Sequence, residues 1–212
     1  MATRIKICGI REESALNAAI GAGADYAGFV FFPPSPRTVS LREAAALGER
    51  AEGRIQRVGL FVNATDEEIA EAVAAARLDV LQLHGQETPN RAAALRSRFG
   101  LPVWKALSVA GSADILRAGE YRDAADLVLF DAKTPKDALP GGMGVRFDWD
   151  LLTGFDGSLP WGLAGGIGPG NVAEAIASTH APLVDVSSGV ESAPGVKDPA
   201  KIAAFCKAVR AM

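Results

Sequence analysis

The sequence predicts an α/β fold, a single (β/α)8 barrel of the phosphate-binding type spanning residues 1–212 as one catalytic domain. Three observations lead there. Short β-branched apolar runs alternate with Ala-rich stretches of helical period from end to end, eight such units can be counted, and no Ser/Gly/Pro tract divides the chain. Eight units can also lie open as a doubly wound sheet. That alternative lacks its fingerprint, because no GxGxxG follows the first strand.

The strands read in order are RIKIC (4–8), YAGFVFF (26–32), RVGLFV (57–62), VLQLH (80–84), PVWKAL (102–107), LVLFD (127–131), WGLAG (161–165) and LVDVS (183–187). Most are continuous apolar runs, as expected of parallel strands buried on both faces. Between them lie helices with start signals. DEEIAEAVAAARL (66–78) opens with acids and sets Ile69, Val73 and Ala76 on one face. The last helix has Pro199 near its start and Ile202, Phe205, Cys206 and Val209 at i, i+3, i+4 and i+7, which makes Cys206 a core residue. The sixth unit is the weakest. After Asp131 comes a long polar, glycine-rich connection with at most a short helix behind it, and its GGMG stretch (141–144) reads as a mobile flap; no Lys-Ser/Thr follows to make it a nucleotide-binding loop.

Composition narrows the partners. With 49% hydrophobic and 22% charged residues the chain can fill a core, and a net charge of -3 gives no broad basic field for nucleic acid. Two cysteines, Cys8 and Cys206, are too few for a disulfide scaffold or a thiolate zinc site, and two histidines supply few metal ligands. The N-terminus carries no apolar segment of signal-peptide length and no run spans a membrane. The expectation is a cytoplasmic protein acting on a small molecule without metal or cofactor, a monomer with a homodimer as the alternative.

Reactive groups of such a barrel come from the C-terminal ends of strands and the loops that follow. Cys8 ends the first strand before Gly9, where a thiolate can take a proton from carbon; a buried, inert cysteine is the alternative. Asp131 ends a strand of four apolar residues, a low-dielectric border that favours the neutral acid needed for proton donation, or it caps the next turn. LAGGIGPGNVAEAI runs from strand through glycines into a helix, and LVDVSSGVES adds a second glycine- and hydroxyl-rich turn. Together they occupy the place, after strands seven and eight, where barrels hold phosphate. Arg37, in the proline-stiffened FFPPSPRTVS, either points a guanidinium to the mouth for a carboxylate or stays solvated. His84 ends its strand as a residue lining the site, and His180 belongs to the opposite rim.

In order and spacing, KICGI, GFVFFPPSPR, VGLFVN, LQLHG, LFDA followed by GGMG and FDW, LAGGIGPGNV and VDVSSGVE resemble the phosphoribosylanthranilate isomerase family of tryptophan-pathway barrels over essentially the whole chain. The resemblance implies an Amadori rearrangement of N-(5-phosphoribosyl)anthranilate to 1-(2-carboxyphenylamino)-1-deoxyribulose 5-phosphate, with no cofactor or metal. It further implies Cys8 as general base, Asp131 as general acid, Arg37 for the anthranilate carboxylate, and Gly165, Gly166, Ser188 and Gly189 for the phosphate. His84 and Asp185 match motif positions as substrate-binding residues. Met143 departs from the family pattern, where a smaller polar residue is expected. The rivals are another phosphosugar isomerase or epimerase, disfavoured by Cys8 at the first strand end and by the scarcity of metal ligands, and a non-catalytic phosphosugar-binding barrel.

Overall fold

Eight parallel strands pair in sequence order and close on themselves: β1 Arg4–Cys8, β2 Tyr26–Phe31, β3 Gln56–Phe61, β4 Val80–Leu83, β5 Val103–Val109, β6 Leu127–Ala132, β7 Trp161–Leu163 and β8 Leu183–Val186. They are seen in a computed structural model that describes residues 2–132, 147–157 and 159–212; the GGMG stretch and Met143 lie outside the described residues. The closing seam pairs β1 with β8 and sets Lys6 opposite Asp185, while β1 and β2 set Cys8 opposite Gly28. The expected strands are all present to within a residue or two. β7 is the shortest, so Gly165 and Gly166 stand in the loop beyond it.

The outer layer holds α1 Glu13–Gly21, α2 Leu41–Ala51, α3 Asp66–Ala76, α4 Pro89–Phe99, α5 Ser112–Leu116, α6 Val172–Thr179 and α7 Pro199–Arg210. Local chemistry sets their starts. Ser40 with Glu43 and Thr65 with Glu68 form capping boxes, Thr88 caps α4 ahead of Pro89, and the Asp198 carboxylate accepts from the Ala200 and Lys201 amides. On α7 the buried residues are Ile202, Phe205, Cys206 and Val209, as the spacing predicts; each large apolar side chain so buried is worth about 1.5–3 kcal/mol. Burial pushes the Cys206 thiol up to about 11, which makes it inert core. On α3 the buried stripe is Ile69, Ala72 and Ala76, with Val73 half-buried at its edge.

Three departures from regularity matter. The fifth helix is only five residues long, continued by a 3₁₀ turn at Arg117–Tyr121, a shortening that the Ala-rich pattern did not reveal. The sixth unit has a 3₁₀ turn, Trp149–Gly154, where the sequence predicted at most a short helix. After β8 the chain makes a 3₁₀ turn, Ser188–Val190, and then an unanticipated hairpin of β9 Glu191–Ala193 and β10 Val196–Lys197. At the N-terminal rim, Arg210 of α7 donates to the carbonyls of Thr3 and Gly23 and to Asp25, tying the last helix to the first strand.

Alternation along each strand divides the side chains. Ile5, Ile7, Phe29, Leu81, Leu83, Val128 and Phe130 face the helices in the main core. Tyr26, Val58, Val80, Trp104, Ala106, Leu127, Leu129 and Leu183 fill the barrel interior. The same inward faces also carry Lys6, Cys8, Gln82, His84, Asp131 and Asp185.

Candidate active site

Cys8 ends β1 with its side chain inward, and Gly9 turns the chain away at φ 77°, a left-handed conformation suited to glycine. The stem of Arg37 lies over that turn: a Cβ on Gly9 would come within 2.7 Å of Arg37 Cδ. The β2–α2 loop thus delivers Arg37 over the turn that follows Cys8, the first of the two positions, mouth or solvent, that the sequence left open. Its guanidinium makes a two-pronged contact with Glu191 of the hairpin, Nε to Oε1 at 2.8 Å and Nη2 to Oε2 at 2.7 Å. Lys197 Nζ reaches the same Oε1 at 2.6 Å and the Ser187 carbonyl at 3.1 Å. Burial works against the Glu191 charge, but Arg37 and Lys197 outweigh it and hold its carboxyl below the usual range. Burial drives Lys197 the other way, below an ordinary lysine.

Beneath Cys8 lies a second ion pair. Lys6, fully buried, donates from Nζ to Asp185 Oδ2 at 2.8 Å across the barrel seam, and Asp185 Oδ1 is buried with no hydrogen-bond partner among the described residues. Burial raises the Cys8 thiol above its ordinary value; Lys6 pulls down, Asp185 pushes up, and Lys197 pulls down more weakly.

The other half of the mouth is built on β4 and β6. His84 Nε2 sits 3.2 Å from Asp131 Oδ2, so the structure joins two residues that the sequence could only name separately. Gln82, two residues back on the same inward face and fully buried, contacts His84 Nδ1 at 3.2 Å. The loop after β4 is held from behind. Glu87 accepts from the backbone amides of Asn63 and Gly85 at 2.7 and 2.9 Å, and buried Lys105 bonds both Glu87 and the Gly85 carbonyl.

Gly165, φ 80°, allows the β7 loop to press against β6: a Cβ there would lie 2.4 Å from the Ala132 amide nitrogen and 2.7 Å from Asp131 Oδ1. A Cβ on Gly189 would lie 2.1 Å from the Ile167 carbonyl oxygen, so the loops after β7 and β8 touch backbone to backbone. Gly165, Gly166, Ser188 and Gly189 therefore share one corner of the mouth. Ser188 and Gly189 open a 3₁₀ turn whose leading amides have no partner within the turn itself. The α6 terminus is more closed than the sequence suggests: the Asn171 and Val172 amides donate back to the Gly168 carbonyl, and Asn171 Oδ1 accepts from the Gly168 amide. His180 caps α6 at the far rim in a left-handed conformation.

Sequence reasoning missed Lys6, Gln82, Glu191 and Lys197. The first two had a signal, a polar residue two positions before a reactive strand end on the inward face. The other two stand on strands too short and polar to show periodicity. Among the described residues no group of three His, Cys, Asp or Glu side chains has the arrangement of a metal site. A cleft of about 530 Å³ opens at the opposite rim between Arg4, Tyr26, Arg57 and Asp79, but it carries no strand-end reactive residue, and Arg57 and Arg4 are bonded to Asp79 and the Tyr26 hydroxyl.

The chain matches known proteins over nearly the whole of its length and of theirs. Residues 5–208 match the family model for N-(5'-phosphoribosyl)anthranilate (PRA) isomerase. The N-(5'-phosphoribosyl)anthranilate isomerase of Paramagnetospirillum magneticum is 56% identical over 211 residues, covering 99% of this chain and 98% of that protein. The crystal structure of the Thermotoga maritima phosphoribosyl anthranilate isomerase superposes with a TM-score of 0.89 at 36% identity, covering 99% of this chain and 100% of that one. A phosphoribosyl anthranilate isomerase solved with reduced 1-(o-carboxyphenylamino)-1-deoxyribulose 5-phosphate superposes with a TM-score of 0.87 at 34% identity and the same coverage. A family model matched over residues 5–208 and a relative 56% identical across 99% of the chain, on a closed barrel of eight parallel strands, place the chain in the N-(5'-phosphoribosyl)anthranilate isomerase family.

Proposed function

We propose that this chain performs the tryptophan-pathway rearrangement of N-(5'-phosphoribosyl)anthranilate to 1-(2-carboxyphenylamino)-1-deoxyribulose 5-phosphate at the C-terminal mouth of its barrel, as one catalytic domain. The observation that carries this reading is the convergence of Cys8, Asp131 with His84, and Arg37 on one mouth bordered by the two glycine turns. Asp131 donates a proton to the furanose ring oxygen, the ring C–O bond breaks, and the nitrogen lone pair forms an iminium at C1. Cys8 as thiolate then removes the proton from C2, whose acidity the iminium has raised; the C–H electrons form the enolamine. Tautomerisation to the 2-ketone completes an isomerisation with no net redox change.

The ligand of the related complex has a carboxylate at one end and a phosphate at the other. In this chain Arg37 serves the carboxylate and the Gly165–Gly166 and Ser188–Gly189 turns serve the phosphate, with His84 and Asp185 lining the site between. Arg37 makes a two-pronged contact with a carboxylate, that of Glu191, and the same guanidinium chemistry supports its assignment to the carboxylate of the substrate. Among the described residues only four large apolar side chains are exposed, Leu41, Leu116, Val196 and Met212, and this small number supports a monomer, with a homodimer as the alternative. The test is loss of substrate fluorescence with freshly generated phosphoribosylanthranilate and purified protein, with and without chelator. Turnover unaffected by chelator is expected; ligand binding without turnover would select the non-catalytic reading.

A further inference from the structure

We propose that the Lys6–Asp185 ion pair beneath Cys8 sets the charge state of the thiol: the Lys6 ammonium stabilises and positions the thiolate, and Asp185 limits how far it does so. This makes Lys6 a positioning residue acting through Cys8, and it rests on the reading of Cys8 as the base.

The geometry places the two side chains in one space. Lys6 and Cys8 are two apart on β1 and so share its inward face. Opposite Cys8 stands Gly28, and a Cβ there would come 3.1 Å from Cys8 Sγ and 3.2 Å from Lys6 Cε. The absent side chain is thus replaced by the thiol and the lysine stem lying together. The ammonium has three donors. One is given to Asp185 Oδ2 at 2.8 Å, and the residue's full burial leaves no bulk water to take the others.

A structural role alone accounts poorly for this pair. A buried ion pair is weak support for stability, since packed apolar residues of similar volume serve as well or better. Here it sets two charges among the buried residues of β1 and β8, directly below the reactive group. Asp185 Oδ1 is buried and has no hydrogen-bond partner among the described residues, so one of the two carboxylate oxygens is left unengaged by the ion pair. The charged groups that bear on Cys8 are Lys6 from β1, Asp185 from β8 and Lys197 from β10; Glu191 offsets Lys197 and Arg37. Their directions agree with the proposal, Lys6 favouring thiolate and Asp185 opposing it.

The test titrates the thiolate by its ultraviolet absorbance in full-length Cys206→Ala protein, as a difference against the same protein carrying Cys8→Ser. Lys6→Met should raise the Cys8 midpoint by about one pH unit or more, about tenfold in the thiolate-to-thiol ratio. Asp185→Asn should lower it, as the ammonium turns to sulfur for its counter-charge. Shifts in opposite directions are not produced by a loss of packing. An unmoved midpoint in Lys6→Met, or an upward shift in Asp185→Asn, overturns the proposal. Should Lys6→Met not fold, the double variant Lys6→Met/Asp185→Asn, which leaves no unpaired charge, is compared with Asp185→Asn: a midpoint about one unit higher supports the role of Lys6, and an equal one overturns it. Isomerase assays on the unsubstituted protein separate the two readings, because absence of turnover there defeats the proposed function while the thiol titration still reports on Lys6.

Discussion

In the proposed reaction Cys8 acts as a base where burial favours the neutral thiol, and the cations around it work in the opposite direction. Residue type therefore matters more than size at this position. Cys8→Ser keeps the volume but replaces an ionisable thiol with a hydroxyl that stays protonated, and turnover should fall about 10²- to 10⁴-fold with the circular dichroism unchanged. Asp131→Asn should lose activity by a similar factor, since an amide cannot donate the acid's proton; near-normal kcat in either purified variant removes that residue from its role. Arg37→Ala should act mainly on KM, by about tenfold or more, with a smaller change in kcat. Glu191 keeps Lys197 in that variant, so the fold should survive and an unchanged KM would count against the carboxylate role. These residues were legible in the sequence because each ends a strand or follows one closely. Lys6 and Gln82 were less so: a polar residue two positions before a strand end is a weak signal by itself, and what gives it meaning is its partner, Asp185 across the barrel seam for Lys6 and the His84 ring for Gln82.

At the scale of elements, the hairpin of β9 and β10 is the part of the site that sequence pattern could not supply. Its strands are three and two residues long, below the length at which alternation can be read, and Glu191 lies 154 positions from Arg37. The long parallel strands were legible for the opposite reason, since burial on both faces makes the whole run apolar. The hairpin also has a pH signature. The Glu191 carboxyl is held below its ordinary value of 4.5, so the folded chain binds that proton less tightly than the unfolded chain. Its contribution to stability is complete above 4.5 and disappears as pH falls through the depressed folded value. Glu191→Gln should cost about 3–5 kcal/mol at neutral pH, by leaving two cations without their shared counter-charge, and should flatten the acid limb of the stability curve. Urea midpoints for both proteins from pH 7 down to about 3 measure both effects.

Across the whole molecule, function and stability separate to opposite ends of the barrel. At the N-terminal rim a stitch recurs: Asp25, Asp79 and Asp126, each just before an even-numbered strand, accept from the backbone amides of Ile5, Arg57 and Val103 on the strand before at 2.7–2.8 Å. Asp79 also takes the guanidinium of Arg57 in a two-pronged contact. Asp79→Ala should therefore lower unfolding stability by about 1–2 kcal/mol, a modest figure because Asp79 is one-third exposed, and leave kcat/KM unchanged. A matching loss of catalysis would mean that the two ends are coupled.

The tie that Arg210 makes to Thr3, Gly23 and Asp25 has a topological meaning. The seam between β1 and β8 is hydrogen-bonded like every other seam, and the final helix is fastened to the first strand within one side chain's reach. A closed ring held in this way has no privileged first residue. Linking the end of α7 to the start of β1 and reopening the backbone at the exposed turn around Gly111 would give a circular permutant with every strand neighbour preserved and both new ends away from the bonds that close the ring.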